Sequence, residues 1–475
     1  MLINNELLIQ ESHLIYRIIE DECLLVNGVT NKWYRLNQVG TLILENLKQP
    51  STIKQLFDKV SGEISIDEVS PEELYTDIND FVHYLIAEQV IRPTRQPPRP
   101  KGLIRVDDWR DELDAVGVEL MIPTWAKIEV STTCHLSCAH CYIPATERSL
   151  KRELRVVREE REMSDGEILS VIDQLADMGC LLLTLTGGEI FIRRNIFDIL
   201  AYAHERGFIL ELFTSGTPLT PEKVSALSEL NVGRVQVSVY SHDAETHDRF
   251  TGSAGSWKRS TAAIKLMAEK GLHVELVCSI VPDNYRDLEK IRELAASLGA
   301  TCSYGYPITA RTDQNRDTHS MRLDKTELRD AILSVPSFFA MPEPKEKTER
   351  ICPAAVNMCS ITSSGDVLPC SQFHLPAGNV RDGQLSNIWQ NSPVFSKLRS
   401  LRMGDLKSRD GESLSSYVGL CPGLNLLEED DFLIPASITV ETTKAVADVI
   451  AEPDIDEEVR YRLTHPDETR MRSES

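Results

Sequence analysis

No stretch of this 475-residue chain approaches the roughly 18 consecutive apolar residues that a membrane-spanning helix needs. The amino terminus, MLINNELLIQES, lacks a basic segment and carries Glu6 and Glu11, so it does not read as a secretory signal. Dense Lys/Arg clusters are missing too. With 51 basic residues against 73 acidic ones the formal charge is −22, which repels phosphate backbones and sets nucleic acid aside as a substrate. These absences predict a cytoplasmic protein with no membrane or nucleic-acid partner. Charged residues make up 26% and hydrophobic ones 41%, a globular composition, and the length implies two to four domains.

Cysteine is not scarce. Eleven are present, and in a long chain without a signal, clustered cysteines point to metal or redox ligands rather than disulfides.

Residues 8–90 begin with strand-like runs, His13–Ile19, Cys23–Val26 and Lys32–Leu36, separated by turn-forming Asn27-Gly28 and Thr30-Asn31. Helical spacing follows, with Asn37, Ser51 and Pro71 as expected helix starts. This predicts a winged-helix-like α+β domain over residues 1–95. Residues 96–122 hold proline and then clustered charge, the composition of an exposed linker. Beyond it, strand candidates Ala126–Val130, Leu181–Leu185, Ile209–Thr214, Val235–Tyr240, His273–Val281 and Thr301–Tyr306 alternate with amphipathic segments. Six β/α units predict an α/β fold, a parallel sheet curled into a partial (β/α)6 barrel over 123–330, with chemistry at the carboxyl ends of the strands. A turn-rich, cysteine-bearing region follows over 331–430, then a helix and frayed tail over 431–475.

Cys134, Cys138 and Cys141 form a CX3CX2C triplet directly after the first barrel strand, followed by Tyr142. A cubane iron–sulfur cluster ordinarily takes four cysteines, so three leave one iron free for another ligand. The alternative is zinc, with His135 or His140 completing a closed site, although zinc sites more often use paired CX2C elements.

The triplet resembles that of the radical S-adenosylmethionine (radical SAM) superfamily. Thr186-Gly187-Gly188-Glu189 after the second strand is similar to the family's GGE motif, Thr214-Ser215-Gly216 to its polar strand end, and Ser238 to the serine that contacts the cofactor. The resemblance implies a 4Fe–4S cluster on Cys134, Cys138 and Cys141, with S-adenosylmethionine on the open iron and against Gly187, Gly188, Glu189, Ser215 and Ser238. The expected chemistry is reductive cleavage to a 5′-deoxyadenosyl radical, with an electron donor such as flavodoxin or ferredoxin. His247 and Asp248 either fix their loop or touch substrate.

Cys352, Cys359, Cys370 and Cys421, with Gly378-Asn379 and Ile388-Trp389 between them, resemble the SPASM or Twitch region of peptide-modifying radical SAM enzymes. A full SPASM region has at least seven cysteines, so these four imply one auxiliary 4Fe–4S cluster; zinc or a metal-free remnant are the alternatives. Cys421 is set apart by the insertion from Lys407 to Tyr417. Cys23, Cys180 and Cys278 read as buried hydrophobes, and Cys302 as a packing residue or a hydrogen-atom donor.

The first domain resembles the recognition element of enzymes that modify ribosomally synthesised peptides, in which a leader peptide adds as a strand. Here the groove would involve Lys32–Leu36 and Leu74–Leu85. A winged-helix DNA-binding domain is the alternative, opposed by the acidity of Asp67, Glu68, Glu72, Glu73, Asp77 and Asp80. The resemblances together imply a radical SAM enzyme acting on a leader-bound precursor peptide. The rivals are an oxidoreductase acting on a small molecule or protein side chain, and a non-catalytic peptide-binding chaperone.

Overall fold

A computed structural model describes residues 6–63, 70–148, 162–407 and 417–465. The tail from Arg470 to Ser475, residues 408–416 of the insertion, and Asp67 and Glu68 lie outside these.

The amino-terminal region holds β1 (Leu8–Gln10), β2 (Leu14–Ile19), β3 (Glu22–Asn27), β4 (Lys32–Leu36) and β5 (Ile91–Pro93). Strands β2, β3 and β4 form an antiparallel sheet in that order, and β1 pairs with β5. Three helices, Gln38–Asn46, Ile53–Glu63 and Pro71–Ala87, pack over it. Asn37 caps the first by accepting the Gly40 amide, and Ser70 with Glu73 forms a capping box on the third. Ser51 does not cap the second. It bridges to Leu8, while the hydroxyl of Thr52 accepts the Gln55 amide instead.

The barrel strands are β6 (Trp125–Ser131), β7 (Leu182–Gly187), β8 (Ile209–Thr214), β9 (Val232–Ser238), β10 (Val274–Ser279) and β11 (Thr301–Gly305), all parallel and neighbouring in chain order. Their buried, leucine- and valine-rich faces are those of a sheet covered by crossover helices. The sheet does not end at β6. Strand β12 (Met358–Ile361) pairs parallel with β6, and β13 (Asp366–Leu368) and β14 (Gly378–Asn379) follow antiparallel. One nine-stranded sheet therefore joins the barrel to the second cysteine-bearing region.

The expected exposed linker buries an apolar stripe from Ile104 onward while most of its acidic residues stay exposed. Ile104, Val106, Trp109, Leu113 and Val116 share a core with Ile15, Leu24 and Val26 of the first domain and with Leu181, Leu182 and Ile209 at the start of the barrel strands. Averaged composition hid this apolar stripe, which is interleaved with acidic residues. Arg110 then donates to Glu211 inside the barrel. Burial pushes the Glu211 carboxyl up, but Arg110 and Arg234 outweigh it and hold the group at about 2.

Candidate active site

Cys134, Cys138 and Cys141 lie in the loop after β6, at the carboxyl ends of the strands. Backbone contacts hold this loop from several sides. The Ser137 and Ala139 amides donate to the carbonyls of Thr251 and Phe250, and Arg311 donates to the carbonyls of Cys141 and Ala139. Beneath it Tyr240 packs on His140, Phe250 and His247 at centroid separations of 4.8, 4.5 and 5.7 Å. His247 Nδ1 accepts the Tyr240 amide, and Asp248 accepts from Gly255, Ser256 and Trp257. Both residues thus fix the loop.

The two glycines after β7 are required by close approach. A Cβ on Gly187 would stand 2.1 Å from the Ser131 carbonyl oxygen, and one on Gly188 2.1 Å from that of Thr133. At φ +142° Gly187 is also in backbone space that other residues rarely adopt. The Gly188 and Glu189 amides donate to Ser131 and Thr133, so this strand end clamps the start of the cysteine loop.

Glu189 is 1% exposed. Its carboxylate accepts from the Thr214 hydroxyl at 2.7 Å, the Ser215 amide and hydroxyl, and the Phe191 amide. Ser215 in turn shares a hydrogen bond with Thr217, which meets His135 at 2.6 Å. The sequence motifs singled out Glu189 and the Thr214-Ser215-Gly216 strand end separately and offered His135 as a zinc ligand; they missed Thr217, which with His135 completes the chain to the cysteine loop. The polar Thr-Ser-Gly-Thr strand end was the available signal. Ser238 ends β9, with its hydroxyl against that of Tyr240, which also faces Cys138.

Burial pushes the thiols of Cys134 and Cys138 up to about 11 and about 12, and each is raised further by neighbouring thiols of the triplet. The same holds for Cys352 and Cys370, at about 11 and about 12, with Cys421 the neighbour they share. Backbone amides donate to sulfur at Cys134, Cys352 and Cys421, over 3.4, 3.4 and 3.5 Å. Crowded, buried thiols that meet amide donors suit thiolates neutralised by a bound cation. Among the described residues no three His, Cys, Asp or Glu side chains close on a single ion; a cubane is larger and its ligands surround it more widely.

Cys359 does not join Cys352, Cys370 and Cys421. It sits in β12, paired in register with Ala126, fully buried in the barrel core, and the thiol it faces is Cys180. It is not among the thiols that bear on Cys352 and Cys370, whereas Cys421 is. Cys421, the residue separated by the insertion, does join them, at the start of helix Pro422–Glu429. Cys23, Cys180 and Cys278 are fully buried, and Cys302 is partly buried beside Tyr304.

A cavity of about 170 Å³ opens beside residues adjacent in sequence to both thiol groups. Its wall includes Tyr142, next to Cys141, and Ser371, next to Cys370, together with Lys127, Thr186, Phe213 and His374. The Tyr142 hydroxyl donates to Glu129 at 3.1 Å. Burial pushes the Glu129 carboxyl up and the Lys127 ammonium down.

Three family models match the chain: the radical SAM superfamily over residues 128–295, the SPASM iron–sulfur cluster-binding domain over 352–414, and coenzyme PQQ synthesis protein D (PqqD) over 22–91. The AdoMet-dependent heme synthase of Methanosarcina barkeri is 28% identical over 62% of this chain and 86% of its own length. The antilisterial bacteriocin subtilosin biosynthesis protein AlbA of Bacillus subtilis is 27% identical over 65% of this chain and 69% of its own. In fold, the chain is similar to Streptococcus suis SuiB bound to precursor peptide SuiA, with a TM-score of 0.56 at 15% identity over 91% of this chain and 99% of the other. No helix among the described residues is long and apolar enough to cross a membrane. The chain carries a radical SAM domain, preceded by a PqqD-type domain and followed by a SPASM-type iron–sulfur cluster-binding domain.

Proposed function

We propose that this protein is a radical SAM peptide maturase. Cys134, Cys138 and Cys141 would hold the catalytic 4Fe–4S cluster, and Gly187, Gly188, Glu189, Ser215 and Ser238 would shape the S-adenosylmethionine site, Glu189 by fixing the Thr214-Ser215 strand end. Cys352, Cys370 and Cys421 would hold the auxiliary cluster, with one coordination position left open once Cys359 is removed from the set. The cluster on Cys134, Cys138 and Cys141, with S-adenosylmethionine bound, would supply one-electron radical chemistry that takes a hydrogen atom from the substrate. The residues around the cavity would orient that substrate and keep water out.

The first domain would hold the leader. The outer edge of β4 makes no further backbone pairing among the described residues, and Tyr84 of the third helix, 47% exposed, stands near Tyr34. An unpaired edge beside an exposed aromatic suits strand addition. Holding the leader there raises the concentration of the core segment at the barrel. Flavodoxin or ferredoxin in the reducing cytoplasm would supply the electron.

The observation that carries this reading is the cavity whose wall runs from Tyr142 to Ser371, so that one substrate group can face both thiol sets. Its test is anaerobic reconstitution of the full chain with S-adenosylmethionine, a reductant and the peptide encoded beside its gene, followed by mass spectrometry. A mass change in the peptide together with 5′-deoxyadenosine supports it. Turnover indifferent to the peptide favours a small-molecule substrate, a reading supported by the heme synthase relative; absence of 5′-deoxyadenosine favours a binding protein.

A further inference from the structure

Lys127 occupies an unusual position in this acidic chain. It projects from β6 into this cavity, with its ammonium over the faces of Phe213 and Trp125 at 4.8 and 5.6 Å from their ring centroids. An ammonium carries three donors, and the Ser371 hydroxyl, 3.2 Å away, is the hydrogen-bond acceptor it meets among the described residues. No carboxylate there forms an ion pair with it. The nearby acids along the strands are engaged elsewhere: Glu129 by Tyr142, and Glu211 by Arg110 and Arg234. The cavity wall contains Lys127 and His374 and no acidic residue, although acidic residues outnumber basic ones 73 to 51 in the chain as a whole. The negative group of the chain that bears most on it is the Cys370 thiol, beside Ser371, and an ammonium with donors to spare still has places for a complementary group.

We propose that Lys127 reads a carboxylate on the substrate, an acidic side chain or the terminal carboxylate of the peptide segment that enters this cavity. The assignment rests on the peptide maturase function and adds a chemical class to it. The faces of Phe213 and Trp125 flank the ammonium itself and hold it in place, with His374 and Ser371 available to the second carboxylate oxygen. Because the barrel wall and the SPASM-type region each contribute to this pocket, the carboxylate would fix the reacting residue with respect to both.

The test uses the reconstituted full chain and the neighbouring-gene peptide, prepared with each Asp or Glu changed in turn to Asn or Gln, and separately with an amidated carboxyl terminus. One such neutralisation is expected to lower kcat/KM for product by roughly ten- to a hundred-fold, since a site built for a charged partner rejects its neutral isostere. Loss on a side-chain change or on amidation identifies which carboxylate is read. In Lys127→Met, which keeps the apolar stem, and in Lys127→Ala, the preference for acid over amide should collapse toward one. A wild-type enzyme that processes every neutralised peptide as well as the parent overturns the role of Lys127 and leaves the peptide maturase function intact. A preference that stays unchanged in both variants overturns that role equally. A parent peptide left unmodified while 5′-deoxyadenosine accumulates overturns the maturase function and the role of Lys127 with it.

Discussion

The carboxylate of Glu189 accepts both the amide and the hydroxyl of Ser215, at 2.8 and 2.5 Å. It thereby ties the end of β7 to the end of β8 immediately beside the cysteine loop. The acid of the GGE motif is consequently a positioning residue here: its lone pairs go to protein donors at Thr214, Ser215 and Phe191, and the surface formed by those ends is what a cofactor would meet.

Glu189→Gln keeps the volume but turns two acceptors into one and puts an amide donor against the Thr214 and Ser215 hydroxyls. A loss of about 1–3 kcal/mol in unfolding free energy is expected, together with a fall in 5′-deoxyadenosine formation of at least ten-fold. Ser215→Ala, which removes one donor, should lose less on both measures. Chemical denaturation and product chromatography report the two effects separately, and wild-type values in both for Glu189→Gln would refute the assignment.

Iron content distinguishes ligands from packing cysteines. Cys138→Ala should lose one cluster, about four irons per chain, and all cleavage of S-adenosylmethionine. Cys370→Ala should lose the auxiliary iron. Cys359→Ala should retain the iron of the parent and cost on the order of 1 kcal/mol through a small core cavity. Loss of auxiliary iron in Cys359→Ala would restore that residue to the ligand set.

Burial pulls His247 down to about 4, so this ring is neutral in the fold and charges first in the unfolded chain. Its stabilising contribution is complete above the unfolded value near 6.5 and is lost as pH falls from there toward 4. Denaturation midpoints should drop between about pH 7 and pH 5. In His247→Gln, whose side-chain oxygen can still accept the Tyr240 amide, that drop should be smaller, and an equal drop would exclude His247 as a source.

Arg110→Met should destabilise by about 2–4 kcal/mol, because it leaves the fully buried Glu211 with Arg234 as its remaining cation. The loss should shrink when Glu211→Gln is combined with it, as measured in a double-mutant cycle. Additive losses would show that the linker helix does not act through Glu211.

Short-range pattern determined much of this protein. The CX3CX2C triplet, the paired glycines after an apolar strand and the β/α alternation are local, and each specifies its element through spacing, close backbone approach or strand-and-helix periodicity. Strands β2 to β4 and the Asn37 cap were legible for the same reason. The fate of Cys359 was not: Met358-Cys359-Ser360-Ile361 is too short to reveal that it pairs with β6, and only that pairing turns the thiol into the core. Nor could composition show that the Trp109 segment is buried, since its apolar partners come from β2, β3 and the starts of β7 and β8. The joining of Cys421 to Cys352 and Cys370, and the placing of Lys127 against Ser371 and the Cys370 thiol, were likewise decided by tertiary structure. Both depend on strands and loops distant in sequence converging at one end of a single sheet, which no local pattern encodes.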